Sequence, residues 1–392
     1  MTAAADGTTG RYLVLMEDDW STATQELSRV AGIRAESSAG AEDNRALWEA
    51  EGLVMHELGV ALVSADPDQV TALAQAVGES GPIALIEPER FVRAIEPTTP
   101  TVEPAVAAVD ETLFTWGLQR TGAPNSTATG KGVKVAVLDT GFDLHHPDFA
   151  DRTVVSSSFV QNEEVQDGHG HGTHCVGTSC GPREVESGPG YGIAYEADIH
   201  VGKVLSNAGS GADGGILNGI NWAITTGCAV VSMSLGSPTQ PGQAYSRTFE
   251  RVATRAMQKG TLIIAAAGNE SDRRVGRTNP VGHPANCPSI MSVGAIDVGG
   301  RIAYFSCGTV DSIGAVDLAG PGVDVYSSWP TPLRYKRISG TSMATPHAAG
   351  TAALIAQATG ARGLELWARL SQMGRRLPLP CTDVGAGLIQ AP

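Results

Sequence analysis

Four short segments carry the residue types needed for nucleophilic catalysis. Asp139 directly follows the apolar run VKVAVL, and Asn269 follows IIAAAG. Three histidines fall within six residues of the segment DGHGHGTHC, and Ser342 lies in ISGTSMATPHAAG. A serine hydroxyl is a poor nucleophile until a neighbouring base takes its proton. Imidazole suits the role of base because it titrates near neutral pH.

Taken singly, each segment has another explanation. The DTG at Asp139 also occurs in aspartic proteases, which need two such carboxylates, but the chain has no second copy. The histidine spacing resembles the metal-binding HxHxDH pattern of metallo-β-lactamase-type hydrolases, but Thr173 occupies the Asp position. An isolated Ser342 would be explained as a helix cap, and an isolated Asn269 as a turn residue.

The residues around Ser342 predict a serine at the start of a helix. Ser342 follows Gly340 and Thr341 and precedes the small-residue run AAGTAALIA. Free N–H groups and the helix dipole favour developing negative charge at that position. Pro346 is expected near the first turn, where its missing N–H costs least.

Together and in this order, the motifs DTGxD, HGTHxxGT, AAxGN and GTSMATPHxxG resemble the signature of subtilisin-like serine proteases. The resemblance spans residues 112–392. It implies that Ser342 is the nucleophile, that His171 is the general base and then the acid, and that Asp139 orients the imidazole. It also implies that Asn269 donates to the oxyanion together with the backbone N–H of Ser342.

The resemblance also implies a groove that binds a peptide substrate as an additional β-strand. The residues that resemble its walls and its primary pocket are Ser210, Gly211, Ser234, Leu235, Gly236, Gly268 and Gly282. Asp213 and Glu270 add negative charge nearby, which predicts tolerance of basic residues in the substrate. Asp148, in HHPDF, resembles a calcium ligand of the family, so a structural calcium is possible, whereas no cofactor is expected for the chemistry.

The elements that must position these residues follow from the apolar pattern. Continuous apolar runs at 133–138, 199–204, 229–233 and 261–266 alternate with helical patterns at 216–224 and 245–258. Alternating strands and helices predict an α/β fold with a doubly wound, mostly parallel sheet and helices on both faces. Active sites in such sheets lie at the carboxyl ends of the strands, where Asp139 and Asn269 follow their runs.

Residues 11–95 form a separate pattern. Short apolar runs and two helical stretches predict a small α+β unit with the order βαββαβ and a split final strand, resembling a ferredoxin-like fold. Asp66 and Pro67 are expected at the N-cap and first position of its second helix. The unit is similar to the inhibitory propeptide of the family, which makes it an intramolecular partner. Residues 96–111 contain three prolines and predict a linker with a processing site before the catalytic domain, 112–392.

The net charge and the composition of the chain disfavour some partners and predict where the protein is located. The formal net charge of −14 disfavours a nucleic-acid partner, because phosphate binding needs a basic face. No run of eighteen apolar residues predicts a membrane span. The chain shows no secretory signal pattern, which predicts a cytoplasmic protein with reduced thiols; secretion remains open if a leader was trimmed.

Three functions are compatible with the motifs. The first is a serine endopeptidase made as a self-inhibited zymogen. The second is a peptide ligase or macrocyclase that uses the same acyl-enzyme but delivers an amine instead of water. The third is a non-catalytic binding protein on this fold, against which the four intact residues argue.

Overall fold

The computed structural model describes residues 7–39, 44–78, 81–95 and 109–392. Most of the predicted linker, with the expected processing segment, lies outside the described residues. No helix among the described residues is long and apolar enough to cross a membrane. None of the six cysteines forms a disulfide, and all but Cys381 are buried.

The N-terminal part of the chain forms an open sheet with helices packed on it. Its elements are β1 (Thr8–Met16), α1 (Ala23–Ala31), β2 (Ala35–Ser37), α2 (Ala46–Glu49), β3 (Gly52–Met55), β4 (Val60–Val63), α3 (Pro67–Gln75) and β5 (Ile83–Ala94). The strand order is β5-β1-β4-β3-β2, and only the β2–β3 pair is parallel. The final strand is continuous rather than split, with Pro88 opposite Tyr12.

The start of α3 follows the sequence prediction. Asp66 accepts hydrogen bonds from the backbone of Asp68 and Gln69, and the Gln69 side chain accepts from Asp66 N at 3.0 Å. This reciprocal cap satisfies N–H groups that the helix itself leaves unpaired. Pro67, which has no N–H to satisfy, occupies the first helical position.

The rest of the chain is built on a seven-stranded sheet in which all pairs are parallel, in the order β14-β13-β12-β10-β6-β8-β7. Its strands are β6 (Lys134–Asp139), β7 (Val154–Ser158), β8 (Asp198–Lys203), β10 (Val230–Met233), β12 (Leu262–Ala266), β13 (Met291–Ile296) and β14 (Leu318–Pro321). The short strands outside it are β9 (Ser210–Ala212), β11 (Leu235–Gly236), β15 (Val325–Ser328) and β16 (Tyr335–Ile338). The helices are α4 (Trp116–Thr121), α5 (His171–Cys180), α6 (Asp213–Thr225), α7 (Arg247–Gln258), α8 (Thr341–Thr359), α9 (Gly363–Met373) and α10 (Cys381–Val384).

Helices cover both faces of the parallel sheet. Along β6, Val135 and Val137 belong to one buried cluster, which includes residues of α5 and α8. Ala136 and Leu138 belong to another, which includes residues of α6 and α7. Because successive side chains of a strand point to opposite faces, the sheet is packed between two layers of helices. The predicted doubly wound α/β architecture is confirmed for this part of the chain.

Strand β5 belongs to both parts of the molecule. Its centre pairs with β1 in the N-terminal sheet, whereas its end lies between β9 and β11 of the larger part. Both of these outer pairings are antiparallel, with Val92 opposite Gly211 and Ala94 opposite Leu235. The N-terminal unit is therefore joined to the rest of the molecule through a shared strand as well as through surface contacts.

Candidate active site

Asp139 and His171 meet at the carboxyl end of the parallel sheet. Asp139 is the last residue of β6 and His171 is the first residue of α5. Asp139 Oδ1 lies 2.7 Å from His171 Nδ1, and both side chains are fully buried. Burial alone would lower the pKa of His171, but the adjacent Asp139 carboxylate raises it well above its ordinary value. His171 Nε2, the ring nitrogen that does not face Asp139, has no hydrogen-bond partner among the described residues.

Asp167 joins the segments that carry this pair, although no sequence motif indicated a role for it. Its Oδ1 accepts from Thr140 Oγ1 at 3.0 Å and from the backbone of His169 and Gly170. Its Oδ2 accepts from Thr173 N at 2.9 Å and Thr173 Oγ1 at 2.7 Å. Asp167 therefore ties the end of β6 to the start of α5. An Asp just before a helix start is the sequence signal that could have identified it.

The other histidines of the cluster do not form a metal site with His171. His174 Nε2 lies 3.0 Å from the carbonyl oxygen of Val325, so it acts as a donor and not as a metal ligand. Burial lowers the pKa of His174 to about 3. In the described part of the chain, only Asp139, His171 and Cys175 bring three potential ligating side chains together. The metallohydrolase alternative is therefore not supported.

Ser342 is the second residue of α8, as its sequence context predicted. Its Oγ donates to the carbonyl oxygen of Ile95 at 2.7 Å. Pro346 lies in the second turn of the helix, not near the first, and its missing N–H leaves the Ser342 carbonyl open. Ser234 Oγ donates to that carbonyl at 2.8 Å, so a side chain replaces the lost helical bond.

Asn269 lies beside the start of α8, and its amide is held by Thr341. Asn269 Oδ1 accepts from Thr341 N and from Thr341 Oγ1, both at 2.9 Å. A Cβ added at Gly340 would lie 3.0 Å from Asn269 Nδ2, which places the amide nitrogen close to Ser342. Because the oxygen is fixed as an acceptor, the Nδ2 group is the donor that this side chain presents.

The groove residues predicted from the sequence contact the end of β5. Ser210 and Gly211 lie in β9, and Leu235 and Gly236 form β11, on either side of the strand. Ile95 N donates to the carbonyl of Ser234 at 3.3 Å, and Ala94 N donates to the carbonyl of Gly209 at 2.8 Å. The groove binds a chain segment through the backbone of that segment. Segments with many different side chains can therefore bind in it.

The two glycines assigned to the primary pocket lie beside Asn269. Gly268 precedes Asn269 and has a φ of +113°, which favours glycine. Gly282 N donates to the carbonyl of Ala267 at 2.9 Å, so its segment runs next to the same loop. A Cβ at Gly268 would lie 3.1 Å from Cys307 Sγ and closer still to the Glu270 carboxylate, so no larger residue fits.

The contacts of Asp148 do not suit calcium. Its carboxylate accepts from the hydroxyls of Tyr191 at 2.7 Å and Tyr335 at 3.0 Å, and Arg334 Nη2 lies 3.6 Å away. Two hydroxyl donors and a guanidinium already satisfy the negative charge, whereas a calcium ion needs six or more oxygen ligands facing it. The calcium site predicted at Asp148 is therefore not supported by its surroundings.

Cys175 lies beneath the Asp–His pair. Its Sγ is 3.9 Å from His171 Nδ1 and 3.6 Å from the carbonyl oxygen of Ser342. Burial raises the pKa of this thiol, so it is present as the neutral thiol at neutral pH.

The chain is similar in sequence to known proteins over more than half of its length. Residues 130–371 match the model of the Subtilase family. The chain is 39% identical over 267 residues to subtilisin E of Bacillus subtilis, a match that covers 64% of this chain and 66% of that protein. It is 38% identical over 269 residues to an alkaline protease of Shouchella clausii, which covers 65% of each chain. It is 41% identical over 247 residues to subtilisin Savinase of Lederbergia lenta, which covers 62% of this chain and 84% of that protein.

The structure contains the parallel sheet, the buried Asp–His pair and the serine at a helix start that the motifs predicted. The family match covers more than half of the chain, and the chain therefore belongs to the subtilase family. The matched part spans slightly less than two thirds of subtilisin E and of the alkaline protease.

Proposed function

We propose that the protein is a serine endopeptidase made as a self-inhibited zymogen. The observation that carries this proposal is the position of Ile95, whose carbonyl oxygen accepts a hydrogen bond from Ser342 Oγ while the strand before it fills the groove. A backbone carbonyl is thereby brought to the candidate nucleophile by a segment bound as a peptide substrate would be.

The proposed reaction uses the residues already described. Ser342 Oγ attacks the scissile carbonyl carbon as its proton passes to His171 Nε2, and Asp139 stabilises the imidazolium that forms. Asn269 Nδ2 and the backbone N–H of Ser342 stabilise the oxyanion. His171 then protonates the departing amine as the C–N bond breaks. Water, deprotonated by the same imidazole, releases the acyl group from Ser342.

The N-terminal unit is proposed to act as the inhibitor of this site. Two of its carboxylates cap helices of the larger part: Glu89 accepts from Gly214 N at the start of α6, and Glu87 accepts from Ser246 Oγ and Arg247 N at the start of α7. Negative charge at these ends is favoured by the N–H groups and by the helix dipole. Glu89 is fully buried in this contact.

A buried arginine supports the same interface. Arg255, on α7, donates to the carbonyl oxygens of Leu58 at 2.6 Å and Met16 at 3.2 Å. Its guanidinium carbon lies 4.2 Å from the ring centroid of Trp20. A guanidinium that is buried needs such partners, because its desolvation is otherwise costly. All three partners belong to the N-terminal unit, which is thus fitted to the helix surface below it.

The proposal predicts cleavage of the bond after Ile95. Purified full-length protein is incubated beside the Ser342→Ala variant, and both are followed by intact-mass spectrometry. We expect the parent chain to yield two fragments separated between residues 95 and 96, and the variant to remain whole. A fluorophosphonate probe should then label the larger fragment. Cleavage that persists in the variant, or absence of labelling after processing, would contradict the proposal.

The same experiment addresses the ligase alternative. Joined products from an added peptide amine would indicate transfer to an amine in place of hydrolysis. No contact of the described residues favours that alternative.

A further inference from the structure

A buried carboxylate beyond the five groove-wall residues contacts the backbone of β5. Asp213 is the first residue of α6, and its Oδ2 accepts a hydrogen bond from Arg90 N at 3.0 Å. Arg90 lies five residues before Ile95, whose carbonyl reaches Ser342. The contact is therefore with the sixth residue on the acyl side of the proposed cleavage site.

Asp213 is fixed by a histidine that the proposed mechanism does not use. Asp213 Oδ1 lies 3.1 Å from His283 Nε2, and both side chains are 2% exposed or less. His283 is itself held by two backbone hydrogen bonds with Ser237, each 2.9 Å long. The Phe249 ring packs edge-on against it, with centroids 4.8 Å apart. One carboxylate oxygen of Asp213 is thus bound to His283, and the other accepts a hydrogen bond from strand β5.

The position of Asp213 in the chain explains why a side chain makes this contact. The pairing of β9 with β5 ends at Ala212, opposite Phe91, and the backbone then turns into α6. From that point β9 offers no further carbonyl to the strand in the groove. The Asp213 carboxylate takes over as acceptor and extends the recognition by one residue.

We propose that Asp213, positioned by His283, is a substrate-binding residue that recognises the backbone N–H of the sixth residue before the cleaved bond. This inference rests on the proposed function. The ligand is an extended peptide with at least six residues on the acyl side and any residue except proline at the sixth. The hydrogen bond between Glu89 and Gly214 N is different, because it is made by a side chain of the N-terminal unit and not by the backbone of the strand. It is therefore specific to the N-terminal unit and is not part of the proposed substrate recognition.

The test compares peptide substrates in which one backbone N–H is replaced by an ester oxygen. The processed enzyme, obtained from the full chain, is assayed on a parent peptide and on esters at the sixth and at the fifth residue. The fifth position is the matched control, because the N–H of Phe91 donates to Gly7 of the N-terminal unit and to no part of the groove. We expect kcat/KM to fall about tenfold for the sixth-residue ester, as for a hydrogen bond to a charged group, and to change little for the fifth.

Variants assign the effect to Asp213. In Asp213→Ala the two esters should be cleaved as well as the parent peptide, whatever the overall activity. His283→Gln keeps a donor to Asp213 and should retain part of the sixth-residue penalty, whereas His283→Phe should lose more of it. Equal penalties at both positions, or a sixth-residue penalty that survives in Asp213→Ala, would overturn the inference. Failure to cleave any peptide would instead contradict the proposed function, and the substrate role with it.

Discussion

At the scale of single residues, the site depends on side chains that hold other side chains and backbone groups in place. Thr341 fixes the amide of Asn269, Ser234 occupies the carbonyl of Ser342, and Asp167 ties the Asp139 segment to the His171 helix. Catalytic groups need such support, because small displacements cost much of their effect.

Asp167 gives the first prediction at this scale. Its carboxylate is buried and accepts five hydrogen bonds. Asp167→Ala should lower the free energy of unfolding by about 2–4 kcal/mol, because buried donors lose their acceptor. Urea unfolding in the Ser342→Ala background, which prevents self-digestion, measures the change. Asp167→Asn keeps the size and one oxygen and should lose less, whereas equal stability of all three chains would contradict this role.

At the scale of elements, a partly buried carboxyl lies at the edge of the parallel sheet. Asp317, directly before β14, accepts from Ser292 N at 2.8 Å and donates its own N–H to the Ser292 carbonyl at 3.0 Å. Burial raises the pKa of Asp317 to about 7. The folded protein therefore binds this proton more tightly than the unfolded chain does, and folding is favoured by low pH at this residue.

Because low pH favours folding at Asp317, the stability of the Asp317→Asn variant should differ from that of the parent in a pH-dependent way. The stability that protonation of Asp317 contributes is complete below a pH of about 4 and is lost as the pH rises through about 7. The variant should match the parent near pH 4 and be more stable above pH 7, by at most about 4 kcal/mol. Melting temperatures of both chains between pH 4 and 8, in the Ser342→Ala background, measure the difference. A constant difference across this range would contradict the raised pKa.

At the scale of the whole molecule, the contact between the two parts supplies the third prediction. Arg255→Ala removes two hydrogen bonds and the contact with Trp20, so the N-terminal unit should bind about tenfold or more weakly. After processing, peptide hydrolysis by this variant should begin sooner and at lower dilution than in the parent. Arg251→Ala is the matched control, since Arg251 is half exposed and its ion pair with Asp18 is 3.6 Å long. Equal delays in both variants would argue against the Arg255 contact.

The sequence was informative wherever chemistry sits in a short local pattern. Asp139 ends a strand and Ser342 lies at the start of a helix, as their own neighbours predicted, and Asn269 lies in the loop that follows a predicted strand. Contacts between segments that are far apart in the sequence could not be predicted from such local patterns. Asp148 accepts a hydrogen bond from Tyr335, 187 residues away, a contact that its local motif does not indicate.

The same limit applies to Ile95. Ile95 and Ser342 are 247 residues apart in the sequence. Only the folded chain shows which residue at the end of the N-terminal unit contacts Ser342. Strand β5 was predicted as two pieces, because Pro88 breaks the apolar pattern, although the pairing with β1 passes through it.

The double membership of β5 has a thermal consequence for the proposed enzyme. Cutting one peptide bond after Ile95 leaves every hydrogen bond between β5 and its neighbours in place, so the groove stays filled. The segment cannot withdraw alone, because it is also the partner of β1 in a small sheet that must open with it. That small sheet is only marginally stable because of its size. Its unfolding therefore determines the temperature at which the groove becomes free.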